Sequence, residues 1–235
     1  VPQGQVIITS SPTSDFHLDE ESGQITATDM TQRKVSIDKI VNPADKQKFI
    51  HIAASPREQD IIETLSPFTT TLDELNVQVS TGPVVDFRLK NDLRERMDSG
   101  SVPLLFPQHL NGKVNWPLDG KKPNAIRVSE SSRPWLWKNQ GYFLILKRFS
   151  SKEEKRRIVA TLYDSSLPGE LIGFDNKTNV FHIQKKGMDA DLARGLYVYL
   201  NCTLLDKYYR QFGGHTQVNA SDLRSIHYPS MQVLR

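Results

Sequence analysis

The stretch Asp189–Ser230, DADLARGLYVYLNCTLLDKYYRQFGGHTQVNASDLRSIHYPS, predicts the structural centre of the chain. Apolar residues occupy almost every face between Leu192 and Leu205, so we predict one helix that is buried on more than one side. Asp189 is placed to cap its N-terminus. Gly195 inside the helix costs up to ~1 kcal/mol relative to alanine, which predicts a close backbone contact at that position.

A short polar segment follows this helix. Gly213-Gly214 ends the helix, and we predict that His215–Asn219, HTQVN, is extended. Ser221 is expected to cap a helical turn over Asp222–Ile226, and Pro229 ends that turn. The helix therefore holds a rigid polar segment beside it.

The composition favours a reducing compartment. Cys202 is the single cysteine of the chain, which excludes an internal disulfide framework. It falls inside the predicted helix and is expected to be a core residue. No stretch approaches the roughly 20 apolar residues of a membrane span. We therefore expect a cytoplasmic protein.

Charge is unevenly distributed along the 235 residues. Residues 1–100 carry 16 acidic and 10 basic residues, whereas residues 101–235 carry 11 acidic and 20 basic residues. A basic C-terminal part predicts a surface that faces a polyanion on one side only. A solvated face without a partner is the alternative.

The chain begins VPQGQVIITS, with neither an initiator methionine nor a signal peptide, so we expect a piece of a longer polypeptide. Asn42-Pro43 lies in a segment with the composition of a linker. We predict two parts: residues 1–45 as a tail or linker hairpin, and residues 46–235 as the main domain.

Two tandem hairpins define the fold class. The strong strands lie in the runs 135–149 and 157–163, followed by arms at 171–174 and 179–183. This spacing predicts an α+β fold with a twisted antiparallel sheet or partial barrel and a buried C-terminal helix. Upstream, Ser55 with Pro56 and Glu58 forms a capping box for a helix that runs to about Leu65. Thr71–Leu75 is predicted to be a second short helix.

Catalytic motifs are missing from the sequence. It contains no glycine-rich phosphate loop, no metal-ligand spacing among its histidines and no dinucleotide fingerprint. A nuclease would need paired carboxylates near a lysine. The nearest set is Asp164, Glu170 and Asp175 with Lys177, and it lies on or beside predicted turns.

The strongest binding signal is the basic segment Lys147–Arg157. A rigid hairpin with a basic turn suits phosphate contacts, because the sheet fixes position and counterion release supplies affinity. A solubilising hairpin tip is the alternative. The candidate residues are Lys147, Arg148, Lys152, Lys155, Arg156 and Arg157.

The HTQVN segment is a second candidate. Gln and Asn can pair bidentately with adenine, and His and Thr can reach phosphates or base edges. The candidates here are His215, Thr216, Gln217 and Asn219, with Thr81 and Arg88 as further contacts. A polar edge strand is the alternative. Trp116, Trp135 and Trp137 could stack on a base, although core or rim packing is the favoured interpretation.

The C-terminal run resembles the close of the N6-adenine DNA methyltransferases of bacterial restriction–modification systems. Other runs are similar to the specificity part of the same enzymes, and together they span roughly residues 46–230. These runs are YLNCTLLDKYYRQFGGHTQVNASDLRSIHYPS, QVSTGPVVDFR, VPLLFPQHL, LILKRFSSKEEKRRIVATLYD and KFIHIAAS.

The resemblance implies a C-terminal target recognition domain that binds duplex DNA. In that family, a separate Rossmann-like domain binds S-adenosylmethionine and carries an Asn-Pro-Pro-Tyr-type motif. Here, Asn42-Pro43 is followed by Ala and Asp, so neither the cofactor nor methyl transfer is assigned to this chain. The implied partners are duplex DNA and the catalytic methyltransferase domain of the same polypeptide, with no membrane. A protein–protein specificity module that docks a catalytic subunit is the alternative, and a nuclease is a remote one.

Overall fold

A computed structural model describes residues 4–11, 17–27, 29–41, 50, 52–53, 55–120, 122–151, 153–212 and 216–235. The chain divides into two compact units, Val1–Thr64 and Leu65–Arg235. The predicted boundary between residues 45 and 46 lies outside the described residues.

The first unit is a small antiparallel arrangement. Ile8, Val35 and Ile40 form its core. Strand β1 pairs with β4, and β2 pairs with β3. The elements are β1 (Gln5–Ser10), β2 (His17–Leu18), β3 (Ile25–Thr26), β4 (Thr31–Ser36), α1 (Ile37–Ile40) and α2 (Pro56–Leu65). The predicted cap of α2 is confirmed, because the Glu58 N–H donates to Ser55 Oγ at 3.3 Å.

The second unit contains the remaining described strands and helices. The strands are β5 (Gln78–Thr81), β6 (Leu93–Arg94), β7 (Ser101–Leu105), β8 (Leu110–Asn111), β9 (Lys113–Val114), β10 (Ala125–Arg127), β11 (Trp137–Lys138), β12 (Phe143–Lys147), β13 (Ala160–Tyr163), β14 (Leu171–Phe174) and β15 (Thr178–His182). The helices are α3 (Ala190–Leu200), α4 (Thr203–Phe212), α5 (Ala220–Ser225) and α6 (Met231–Leu234). Single 3₁₀ turns cover Asp86–Arg88, Lys90–Asp92, Pro107–His109 and Arg133–Trp135.

Two sheets form the body of this unit. One is ordered β5-β15-β12-β13-β9-β8 and the other β11-β14-β7-β10-β6. Neighbours are antiparallel except for the parallel pairs β13–β9 and β14–β7. The α+β fold with twisted, largely antiparallel sheets is confirmed, and the sheets are open rather than closed into a barrel.

Alternation along β12 shows how the layers are organised. Leu144 and Leu146 belong to the cluster that packs the six-stranded sheet against the C-terminal helices. Phe143 and Ile145 point to the other face, where they meet Phe174 of the five-stranded sheet. This period of two places one core on each side of the six-stranded sheet.

The predicted single helix from Leu192 to Leu205 is wrong, because α3 and α4 are separate. Asn201 lies at the break, where its side-chain amide donates to Ala160 O and accepts from Ala160 N–H, both at 3.1 Å. Cys202 lies at this junction, half-buried, and its Sγ accepts from Leu205 N–H at 3.3 Å. An amide that pairs with β13 in this way ends α3 early.

Two details of the predicted helix are confirmed. Asp189 caps α3, since its carboxylate accepts from Leu192 N–H at 3.0 Å. Gly195 packs against the Leu234 carbonyl, with no room for a Cβ. Two other local predictions are wrong. Thr71–Leu75 forms a turn rather than a helix, and the N-cap of α5 is Asn219 rather than Ser221.

Candidate nucleic-acid interface

Polar residues from three adjacent strands meet at one end of the six-stranded sheet. Asn179 of β15 lies opposite Thr81 of β5 on one side and Leu146 of β12 on the other. Lys147 lies opposite Thr178 in the next row of residues toward that end of the sheet. Because neighbouring strands are about 4.8 Å apart, Thr81 and Lys147 are separated by roughly 10 Å across the sheet.

The segment after α4 is fixed at this same end. Val218 N–H donates to Arg148 O at 2.7 Å, and Ser150 N–H donates to Thr216 O at 3.1 Å. The buried Asn179 amide donates to Val218 O at 2.6 Å. In the predicted extended segment, Gln217 forms an isolated antiparallel bridge with Phe149 and Asn219 has an extended backbone, whereas Thr216 lies in a bend.

Two lysines that sequence reasoning did not assign to the interface also converge here. Lys177 and Lys122 both donate to Asp86 Oδ2, at 3.2 and 3.0 Å. Burial alone would raise the pKa of Asp86, but the hydrogen bonds from the two lysines outweigh it and lower that pKa. Arg148 N–H donates to Lys177 O at 2.9 Å, which ties this cluster to β12.

We call this surface the basic rim and define it by six residues. They come from β5, the β9–β10 connection, the end of β12 and the residue after it, the β14–β15 turn and the segment before α5. They are Thr81, Lys122, Lys147, Arg148, Lys177 and Gln217. Lys122 and Lys177 could not be assigned from their local sequence, because both contact Asp86. Asp86 lies 36 positions before Lys122 and 91 positions before Lys177.

Other predicted residues lie around the rim. Arg88 is exposed at the end of the 3₁₀ turn that begins with Asp86, and its guanidinium lies 5.7 Å from the centre of the Phe87 ring. Thr216 is exposed. Asn219 begins α5, and its N–H donates to the Asp222 carboxylate at 3.1 Å, so it has a structural role. His215 lies outside the described residues.

The predicted projecting hairpin needs correction, because the C-terminal part of Lys147–Arg157 turns inward. Arg157 is only 3% exposed, and its guanidinium lies 5.3 Å from the centre of the Tyr209 ring. Arg156 donates from Nη2 to Cys202 O at 3.0 Å. Lys155 remains exposed, and Lys152 lies outside the described residues.

Asp206 of α4 causes this inward turn. Its Oδ1 accepts from the backbone N–H groups of Arg157 at 2.7 Å and Ile158 at 3.0 Å. Its Oδ2 accepts from Arg210 Nε at 2.9 Å. A carboxylate that satisfies two buried backbone donors holds the β12–β13 connection against the helix.

Packing accounts for two of the three tryptophans. Trp137 is buried against His182, with ring centres 4.4 Å apart. Trp116 donates from Nε1 to Asn124 O at 2.7 Å. Trp135 alone of the three is substantially exposed, at 46%.

Gly82 positions the start of the rim through close backbone packing. A Cβ at this position would overlap the Asp175 carbonyl and lie 2.7 Å from Phe174 O. The Thr-Gly-Pro turn therefore contacts the protein backbone rather than a ligand. Gly82 N–H donates to Thr178 O at 2.9 Å, extending the β5–β15 pairing.

We expect Gly82→Ala to destabilise the domain and displace the rim. The added methyl must push β5 away from the end of β14, and overpacking of this kind costs about 1–3 kcal/mol. Urea unfolding gives the change in free energy. Gly120→Ala is the matched control, since a Cβ there meets nothing within 4 Å. Equal stability of the two variants would contradict this role for Gly82.

The possible nuclease carboxylates do not converge. Glu170 precedes β14 and Asp175 follows it, so the extended strand between them separates the two residues by roughly 16 Å. Asp175 is fully buried, and burial raises its pKa. No group of three His, Cys, Asp or Glu residues within the described ranges could hold a metal ion. Among the described helices, none has the length and apolarity needed to cross a bilayer.

Comparison with known proteins places these features in context. No family model matches the chain. It is 50% identical over 199 residues to Type II methyltransferase M.BsuBI of Bacillus subtilis, and 45% identical over 204 residues to Type II methyltransferase M.PstI of Providencia stuartii. The matches cover 84% and 86% of the chain but 39% and 40% of those proteins. The chain is thus similar to a region that makes up about two fifths of each of these Type II methyltransferases.

Proposed function

We propose that this chain is the target recognition domain of a longer N6-adenine DNA methyltransferase of a restriction–modification system. One observation carries the proposal. Three separate segments, which carry Lys147 with Arg148, Lys177, and Gln217, converge on one end of the six-stranded sheet. The similarity to Type II methyltransferases supports duplex DNA as the partner of this surface.

The chemistry of the rim suits a duplex. Ammonium and guanidinium groups neutralise phosphates and release counterions, which supplies affinity without regard to sequence. The amide of Gln217 can read adenine bidentately in the major groove, and the Thr81 hydroxyl can both donate and accept. Because strand pairing fixes the backbone on both sides of the rim, phosphate contacts here also set the register for base contacts.

We assign no residue of this chain to S-adenosylmethionine. A dinucleotide-type site needs a parallel strand that leads through a glycine-rich turn into a helix. The only described glycine between β15 and α3 is Gly187, and both neighbours of β15 run antiparallel to it. Methyl transfer and cofactor binding would therefore belong to the catalytic domain of the longer polypeptide.

A second candidate is a docking module for that catalytic domain. The observation in its favour is an apolar groove of about 570 Å³ beside α3 and α6, which includes Val198 at 67% and Val233 at 69% exposure. The two roles are compatible, since a recognition domain must be held against its catalytic domain. The two roles use different surfaces: duplex binding depends on the basic rim, whereas docking depends on the groove beside α3 and α6.

Selection from a pool of randomised duplexes tests the proposal. The full-length polypeptide that contains this chain should enrich one short sequence and bind it at least about 10³-fold more tightly than other duplexes at physiological salt. Aspartate at both Val198 and Val233 should leave the enriched sequence unchanged. A pool that emerges without any enriched sequence would exclude a role in target recognition.

A further inference from the structure

A second polar surface lies at the other end of β5 from the basic rim. A cleft of about 580 Å³ opens beside Gln78 and Ser80, close to the first residue of that strand. Its opposite wall carries Gln184, Lys185 and Arg224, and His182 lines it from β15. We call these six residues the donor cleft. Asp73 also lines it, as its only carboxylate.

His182 determines the direction of the hydrogen bonds in the donor cleft. It is 3% exposed, and burial lowers its pKa to about 4, so the imidazole is neutral near pH 7. Nδ1 accepts from the backbone N–H of Lys185 at 3.1 Å, which leaves the ring proton on Nε2. Nε2 therefore donates to Ser80 Oγ at 3.0 Å. Ser80 accepts that bond and keeps its own O–H to donate.

The other polar groups of the donor cleft are donors too. Gln78 Oε1 accepts from Gln184 N–H at 3.3 Å, which leaves the NH₂ of Gln78 for a ligand. Arg224 uses Nη1 to contact Val79 O at 3.0 Å, and a guanidinium carries further N–H groups. The exposed Lys185 adds an ammonium. Two cations against Asp73 make the cleft attractive to an anion with several acceptor oxygens.

A strained turn holds Lys185 in this place. Ile183 and Lys186 exchange backbone hydrogen bonds of 2.8 and 2.9 Å, and the two residues between them, Gln184 and Lys185, have φ of 48° and 62°. Asn-Gly is the pair that such a turn favours, whereas side chains like those of Gln and Lys oppose positive φ. Strain of this kind persists where position matters for function.

We propose that the donor cleft binds a phosphodiester of the DNA duplex through Ser80, Gln78, Lys185 and Arg224. This inference rests on the proposed function and deepens it. Gln78, the first residue of β5, lies about 10 Å along the strand from Thr81 of the basic rim, a distance comparable with the roughly 12 Å width of the major groove. The rim and the donor cleft would then contact the two backbones that border one groove, with the β5 edge facing the base pairs.

Duplex binding as a function of salt tests this arrangement on the whole chain. Arg224→Gln and Lys185→Gly each remove one cation, and the glycine also relaxes the turn, so folding is retained or improved. The slope of log K against log salt is negative. We expect each single variant to reduce its magnitude by about 0.9, and the double variant to reduce it by about 1.8. Lys138→Gln is the matched control, because Lys138 is exposed on β11 of the other sheet.

A titration with inorganic phosphate separates this inference from the proposed function. The backbone amide signals of Gln184 and Lys185 should move on phosphate addition to the wild-type chain, and the Gln184 signal should stay fixed in the double variant. If the chain binds no duplex but these signals move, the proposed function fails and the phosphate site stands. If duplex binds and the double variant keeps the wild-type slope, the donor cleft does not contact DNA and the inference is overturned. It is equally overturned if the chain binds no duplex and phosphate leaves these signals unmoved.

Discussion

Replacing Asp206 with alanine should lower the free energy of unfolding by about 3–5 kcal/mol, because two buried backbone N–H groups and the partly exposed Arg210 guanidinium lose the carboxylate that accepts their hydrogen bonds. Asp206 is 4% exposed. Its loss leaves the N–H groups of Arg157 and Ile158 unsatisfied and takes the carboxylate away from Arg210. Each unsatisfied buried donor costs about 1–3 kcal/mol, so the backbone donors alone account for much of the effect.

Urea unfolding measures this change, and Asp189→Ala is its matched control. Asp189 is also a carboxylate that accepts from a backbone N–H, but its side chain is 47% exposed and it caps a single helix end. The loss of such a cap costs about 1 kcal/mol. Similar losses in the two variants would show that Asp206 is an ordinary helix-end residue.

Acid should weaken this contribution. Burial opposes ionisation of Asp206, but the hydrogen bonds from Ile158, Arg210 and Arg157 outweigh it and hold the folded-state pKa below the ordinary value. A lowered folded-state pKa stabilises the fold above the unfolded-state pKa of about 3.9. That stability is lost as pH falls through the lower folded-state value. Asp206→Asn should therefore flatten the stability profile below about pH 4.

Local signals in the sequence predicted the features that depend on neighbours in the chain. The Ser55 cap of α2 and the Asp189 cap of α3 need only residues three positions away. The close contact at Gly195 followed from the cost of glycine inside a helix, although its partner, Leu234, could not be named. Strand alternation gave the fold class for the same reason, because period-two patterns are local.

Features that depend on side chains far away in the sequence could not be predicted. The break between α3 and α4 depends on Asn201, whose amide bonds Ala160 forty-one positions earlier. Nothing in an apolar run reveals that contact. The inward turn of Arg157 depends in the same way on Asp206, forty-nine positions later. Positive charge alone therefore predicted a basic segment but not which of its side chains face outward.

In the candidate interface too, residues with a local sequence pattern were predicted, whereas their arrangement in space was not. The sequence predicted Lys147 and Arg148 from one segment and Gln217 from another. It did not predict that β12 pairing would bring them together with Lys177, whose position depends on the β14–β15 turn. The rim is thus a product of sheet register. Its charge combines residues of the basic segment Lys147–Arg157 with two lysines from other parts of the chain, Lys122 and Lys177.

Neutralising two rim lysines should weaken binding to every duplex by a similar factor. Each phosphate contact contributes about 0.9 to the magnitude of the negative slope of log K against log salt. Lys147→Gln with Lys177→Gln should therefore reduce that magnitude by about 1.8. If each contact contributes about 1.4 kcal/mol, affinity falls about a hundredfold. Fluorescence anisotropy with matched and mismatched duplexes measures both quantities.

Sequence preference should survive this change, because phosphate contacts carry no direct base information. The ratio of affinities for a matched and a mismatched duplex is therefore expected to stay constant while both affinities fall. Gln217→Ala should do the opposite and reduce that ratio, since an amide paired with adenine gives about 1–3 kcal/mol of discrimination. Lys138→Gln serves as the charge control on the other sheet. If the double lysine variant kept the wild-type slope while Lys138→Gln lowered it, DNA would lie on another face of the domain.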